Sequence, residues 1–340
     1  MDNVTHSLTG LALARAGLDR FAPHATLLLL LSANAPDSDI LALTRGQLAY
    51  FEAHRGYTHS FLLLPVMAAA CVLAVAAIYR RKLPWLRAWG VCCVGVASHL
   101  LLDWTNSYGI RLFIPFSSQW FHLDLNPLYD GTILTVLVLA ALWPLFSKLV
   151  NSEIGARAGA GRGSAVFALT FFVLFDAGRA MLHGRALAQL QARLYDGMPP
   201  ISAAALPEFN PLRWRGVVET TRTYLLMPVD VLSEIDPENA AVFYKPPVTR
   251  FLENAKATEP FRYFLYFARF PVWSEEPVIW KQSEGKRLEL TDLRFGAPHA
   301  GIFHCIAVEN GSGEVIESRF TYGSGRELGR SDAVAGPSQN

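Results

Sequence analysis

The chain has 340 residues, of which 51% are hydrophobic and only 17% charged, with a mean hydropathy of +0.24 and a formal net charge of +1. Such hydropathy excludes an ordinary soluble protein, and so small a net charge leaves no electrostatic footprint for nucleic acid. The four cysteines, Cys71, Cys92, Cys93 and Cys305, form neither a disulfide framework nor a CxxC zinc module.

The opening segment, MDNVTHSLTGLALARAGLDR, carries an acid near its start and no basic leader, so it does not read as a cleaved signal peptide. Residues 2–20 are predicted helical: Asp2 or Asn3 can cap the segment, and Leu8, Leu11, Ala12 and Leu18 fall at helical spacing. Gly10 and Gly17 suit close helix packing in lipid. Residues 24–35 are apolar but too short to span a bilayer, which takes about 20 residues. That run breaks at Pro36, Asp37, Ser38 and Asp39. A polar island, FEAHRGYTHS, then holds His54, Arg55 and His59. Residues 61–79 read as a transmembrane helix, with Pro65 tolerated near its start. Further spans are predicted over 89–108, 132–149 and 165–182.

After His183 the composition turns polar and aromatic, with short β-branched runs and frequent Gly/Pro breaks. Stretches 184–196 and 247–257 keep some helical character. The fold class expected is an α-helical integral membrane domain, a multi-helix bundle over 1–183, followed by a small β-rich soluble domain over 184–325 and a disordered tail over 326–340.

Three basic clusters mark the cytoplasmic side: Arg15 with Arg20, Arg80 to Arg87, and Lys148 with Arg157 and Arg162. Threading the spans through them brings His6, Asp37, Asp39, His54, His59, His99 and Asp103 to one level at the outer face. The β-rich domain then follows as extracytoplasmic. The protein is expected in the inner (plasma) membrane as a multi-pass protein, with the lipid bilayer its first partner.

His99 and Asp103 are spaced to share one helix face, one turn apart, and an ionisable pair in a membrane-like segment marks a functional site. Four histidines and three carboxylates make a mixed N/O ligand set suited to a divalent metal, with zinc favoured and manganese or iron alternatives. A carboxylate outside the ligand set, Asp37 or Asp39, could take a proton from water. Arg55 could hold a phosphate through its fork. The plainer readings are a helix-end polar group for His6, loop residues for His54 and His59, a capping turn for Asp37 and Asp39, and a helix-locking ion pair for His99 and Asp103. His122, Asp124 and Asp130 are weaker candidates. His24, His183, His299 and His304 read as ordinary surface or core residues.

The segments THSLTGLALARAGL, APDSDI, HRGYTHSFLLLP and SHLLLDWTNSYGIRLFIPFS, in that order, resemble the YdjM-like membrane-bound metal-dependent hydrolases over roughly residues 1–180. That family is thought to be distantly similar to zinc-dependent phospholipase C and the S1/P1 nucleases. The resemblance implies metal ligation at His6, Asp37, His59, His99 and Asp103, with Asp39 and His54 also inside the motif. The implied activity is hydrolysis of a phosphoester, lipid-linked substrates included. Two other classes compete: an assembly factor with a structural metal whose β-rich domain meets a protein partner, and a proton-coupled transporter.

Overall fold

The computed structural model describes residues 1–154, 161–280, 283–310 and 312–323. The predicted tail over 326–340 and Arg157 lie outside them.

Helix α1 (Asn3–Ala16) starts where Asp2 accepts from the Val4 and Thr5 amides, and it stops at Gly17 with φ 138°. The short α2 (Ala25–Ser32) runs back along it. Gly10 permits that approach, because a Cβ there would lie 2.8 Å from the Leu29 carbonyl oxygen. Pro36 then begins a 3-10 helix over Ala35–Arg45 that carries Asp37 and Asp39. Next come α3 (Gln47–Ala53), a short turn through Tyr57–His59, α4 (Leu64–Tyr79) and α5 (Trp85–Trp104). A loop over 105–130 leads to α6 (Gly131–Ile154), and α7 (Arg162–Gln191) closes the helical half.

Among the described residues, three helices are long and apolar enough to cross a membrane: Trp85–Trp104, Gly131–Leu149 and Arg162–Gln191. Up to five crossings result if two bent pairs each count as one span. The predicted span at 61–79 is one of those cases. It is a helix of 16 residues, joined to the segment 47–59 through a 90° bend. Predicted spans at 89–108, 132–149 and 165–182 correspond to α5, α6 and α7. Helix α7 is continuous past His183, the expected end of the membrane domain, to Gln191.

Two antiparallel sheets follow, as the β-rich expectation required. The first is a meander of β1 (Ser202–Pro207), β2 (Arg213–Glu219), β3 (Thr223–Asp230) and β4 (Ala241–Tyr244). It packs Trp214, Val218 and Met227 against Ala186 and Leu190 at the end of α7. Two short helices, α8 (Arg250–Ala257) and α9 (Glu259–Phe267), precede the second meander. That sheet comprises β5 (Pro271–Trp280), β6 (Ser283–Asp292), β7 (Phe303–Glu309) and β8 (Val315–Tyr322).

The second sheet and α9 sit directly on α3 and the 105–130 loop. Phe51 of α3 is fully buried and stacks on Phe320 at 4.2 Å. Tyr108 joins the same cluster with Phe267 and Phe303. Arg294 donates to the Ser107 and Tyr108 carbonyls, and Tyr263 donates its hydroxyl to the Glu52 carbonyl. Burying aromatics of this size contributes about 1.5–3 kcal/mol each. The segments carrying His54, Arg55 and Asn106 are therefore clamped between helices and sheet.

Candidate metal centre

Three stretches meet. The first is the 3-10 helix with Asp37 and Asp39. The second is the turn from α3 to α4, residues 54–59. Arg55 there has φ 53°, a left-handed conformation that a side chain disfavours. Two backbone bonds hold it: its amide donates to Asp39 Oδ2 at 3.0 Å, and its carbonyl accepts from the Arg111 amide at 3.1 Å. Arg111 also donates from Nη2 to the Glu52 carbonyl at 2.6 Å while lying over Trp120. Gly56 is required beside it, since a Cβ would meet Arg111 Nη2 at 2.5 Å and the Ala53 carbonyl at 2.8 Å. The third stretch is α5, which brings His99 and Asp103 to one face. Gly95 lets α5 approach α2, because a Cβ there would collide with Ser32.

Four side chains converge. His59 Nε2 and His99 Nε2 lie 3.1 Å apart. Asp37 Oδ1 is 3.6 Å from each, and Asp103 Oδ2 is 3.3 Å from His59 and 3.4 Å from His99. One ligand atom from each residue lies within 4.8 Å of the others, so the group could hold a metal ion. The side chains of His59, His99 and Asp103 are at most 1% exposed, while that of Asp37 is 16% exposed.

The outer ring nitrogens set the tautomers. His99 Nδ1 lies 2.7 Å from the Ala33 carbonyl, which only accepts, so Nδ1 carries the hydrogen. His59 Nδ1 lies 3.0 Å from Thr58 Oγ1, whose hydroxyl points on to Asp39 Oδ2 at 3.5 Å. This relay ends on a carboxylate and likewise places the hydrogen on Nδ1. Both Nε2 atoms then turn lone pairs inward, toward two carboxylate oxygens. Asp103 Oδ2 has no hydrogen-bond partner among the described residues. Four acceptors facing one another, three of them buried, repel unless a cation lies among them. The donor set thus fits a divalent ion, and mixed N/O ligation suits zinc, manganese and iron alike.

The other predicted residues lie around this group. His6 stacks on His99 with ring centroids 3.8 Å apart, and its Nε2 is 3.3 Å from Asp103 Oδ1. The Met1 amino nitrogen also contacts Asp103 Oδ1, and Arg55 Nη2 donates to it at 3.0 Å. One oxygen of Asp103 thus faces cationic and imidazole groups, and the other faces the centre. Asp39 and His54 stand a layer further out, with His54 Nδ1 3.1 Å from Asp39 Oδ2. Arg55 does not present a free fork: Nη1 donates to Asn106 Oδ1 at 2.8 Å and Nη2 to Asp103, over the Tyr108 ring. Phosphate clamping, the sequence expectation for Arg55, would require breaking those bonds.

The weaker candidates lie elsewhere. Asp130 caps α6 through the Thr132 and Ile133 amides and faces Arg179. His122 and Asp124 pair with Arg269. His24 stacks on Tyr79, and His304 is held by Glu289. Sequence reasoning missed Thr58, the Ala33 carbonyl, Asn106 and Arg111. Asn106 is fully buried and binds both Arg55 and the Tyr108 amide. The available signals were a polar Asn three residues after Asp103 and a lone Arg inside the apolar run RLFIPF.

Comparison with known proteins agrees with the helical half. The YdjM inner membrane protein family matches residues 1–186. An uncharacterized protein of Bacillus subtilis, YfhP, is 25% identical over 322 residues, covering 89% of this chain and 91% of its own length. That second match covers more of the chain than the helical half alone. No solved structure matches the chain. With the match covering more than half of its residues, the chain belongs to the YdjM inner membrane protein family.

Proposed function

We propose that the chain is an integral-membrane, metal-dependent hydrolase of phosphoesters, including those carried on lipids. One observation carries this reading: acceptor atoms of Asp37, His59, His99 and Asp103, all but Asp37 buried, face one another while the outer ring nitrogens of both histidines meet Thr58 and the Ala33 carbonyl. Bound there, a divalent cation supplies Lewis acidity and a nucleophilic water at neutral pH. The surrounding residues hold the set in place. The Ala33 carbonyl orients His99, Thr58 and Asp39 orient His59, and Arg55 and His6 keep the second oxygen of Asp103 occupied. Asp37, the member most open to solvent, is the carboxylate placed to accept a proton as water attacks.

The lipid character of the substrate rests on the apolar surface near these residues. Ile40 and Leu41 follow Asp39 directly and are 54% and 70% exposed. Phe61 and Leu62 follow His59, and Phe61 packs edge-on against Phe113. Such a surface beside an acidic opening suits an acyl or polyprenyl chain at the membrane boundary. Orientation follows from the opposite end of the bundle. Arg15 donates to the Ala141 carbonyl and Arg162 to the Ala16 carbonyl, while Arg80–Arg87 occupy the α4–α5 turn. Basic residues gathered there support a cytoplasmic location for that end, and the centre and both sheets are read as extracytoplasmic on that basis.

A second reading has its own support. The set is closed by four protein ligands, three of them essentially inaccessible, as in structural zinc sites. An assembly factor with a structural metal would show this too. The test is to purify the full chain, measure its metal, and assay a lipid phosphomonoester and phosphodiester in mixed micelles. Stoichiometric metal with hydrolysis that disappears in Asp103→Asn supports the hydrolase. Stoichiometric metal without hydrolysis supports the structural role, and absence of metal overturns both.

A further inference from the structure

A mostly apolar cleft with a few polar side chains in its wall, sharing no residue with the candidate metal centre, lies where the helical half meets the sheets. It is open to the surface, has a volume of about 450 Å³, and is walled by the 105–130 loop, the outer turns of α7, the start of β1 and Arg269. Its polar atoms are unusual. Asp124 is 4% exposed and holds φ 55°. One of its oxygens, Oδ2, takes Arg269 Nη1 at 2.8 Å and lies 3.2 Å from His122 Nδ1. The other, Oδ1, is buried without a hydrogen-bond partner among the described residues. His183 Nε2, on the α7 wall, is also buried without one. Burial opposes ionisation of Asp124, but His122 and Arg269 outweigh it and hold its carboxyl below the usual range. The carboxylate is therefore charged, and one of its oxygens lacks a donor.

The complement to this lining carries both signs. Asp124 Oδ1 calls for a donor with N–H or O–H hydrogens. Arg269 beside it presents a guanidinium suited to phosphate. Because Asp124 and Arg269 neutralise each other, a ligand of zero net charge fits better than an anion. Leu125, Leu187 and Ala180 make the rest of the wall apolar, and Leu123 and Met181 beside the cavity are exposed. The cavity thus sits at the end of a lipid-facing helix. We propose that it binds the zwitterionic headgroup of a phospholipid bearing a primary amine, with the ammonium on Asp124 Oδ1 and the phosphate on Arg269 and His122. A quaternary ammonium has no N–H for Asp124, and a polyol phosphate brings net negative charge without a cation.

The full chain in nanodiscs holding equal amounts of phosphatidylethanolamine, phosphatidylcholine and phosphatidylglycerol, examined by native mass spectrometry after release, tests this. The ethanolamine lipid is expected to be retained about tenfold over each of the others, as one charge-assisted hydrogen bond allows. Equal retention of the choline lipid, preference for the glycerol lipid, or no retained lipid overturns the proposal. His122→Ala, at a partly exposed position, should reduce the preference several-fold, and Asp124→Asn should abolish it. Should Asp124→Asn fail to fold, the comparison of lipids on the unaltered chain still decides. Displacement of the lipid by millimolar glycerophosphoethanolamine would overturn the lipid as source and assign the cavity to the free ester.

Discussion

Two of the histidine–carboxylate clusters among the described residues are built in opposite ways. In the second sheet, His304 places Nδ1 2.7 Å from Glu289 Oε1 and Nε2 2.7 Å from the Gly301 carbonyl. Both nitrogens meet acceptors, and Glu289 also takes the His299 amide at 3.1 Å and lies 2.9 Å from Arg287. In the helical half, His59 and His99 each satisfy only the outer nitrogen and point the inner one at another acceptor. The sheet cluster pairs its groups with one another, Glu289 with His304 and with Arg287. The helical cluster turns four acceptor atoms toward one point, a set that a divalent cation would complete. Burial and residue type are the same in both; what separates a candidate metal centre from a structural ion pair is the partner of the second ring nitrogen.

This contrast can be broken most sharply by metal analysis. His99→Ala or Asp103→Asn should reduce bound metal and any phosphoester hydrolysis by about 10³-fold or more. Glu289→Gln should leave both unchanged. Equal metal content in the His99 variant would erase the distinction. A smaller effect is expected one layer out: Asp39→Ala or Thr58→Ala should weaken metal affinity by about 10- to 100-fold, read by chelator competition. Stability should show the reverse pattern. Glu289→Leu removes the carboxylate that His304 Nδ1 and Arg287 share and should cost about 3–5 kcal/mol in the sheet, seen as a lower denaturation midpoint with metal content intact. Gly56→Ala drives a methyl into Arg111 and the Ala53 carbonyl, with a cost of about 1–3 kcal/mol on melting.

The mildest test is acid. Burial opposes ionisation of Glu289, but His304, the His299 amide and Arg287 reverse that and bring its pKa to about 2. A depressed carboxyl contributes stability that is fully present above its unfolded value near 4.5 and lost as pH falls toward about 2. The midpoint of the unaltered chain should therefore fall across that window, and Glu289→Gln should flatten the fall. A wild-type midpoint independent of pH there would contradict the described network.

Much of the centre was legible in the sequence because membranes make charge expensive. Asp37, His59, His99 and Asp103 each stand in or beside an apolar run, and in such a setting polarity itself is the signal. The spacing of His99 and Asp103 fixed a shared helix face before any fold was known. The β-rich half was legible from alternation and Gly/Pro breaks, but its division into two meanders was not, since strand pairing is not encoded within any one strand. The cavity at Asp124 was equally hidden: Arg269 lies 145 positions from its partner.

By itself, the sequence determined an apolar helical half of the YdjM type, a β-rich remainder, and a short set of polar residues that lipid would not tolerate unpaired. Only the tertiary structure decided which of them face one another. It turned Asp39 and His54 outward, committed Arg55 to Asp103 and Asn106, and pointed two imidazole lone pairs into one buried space. The reason is physical: residue type sets what an atom can donate or accept, but only the placement of its neighbours decides whether that capacity is already used.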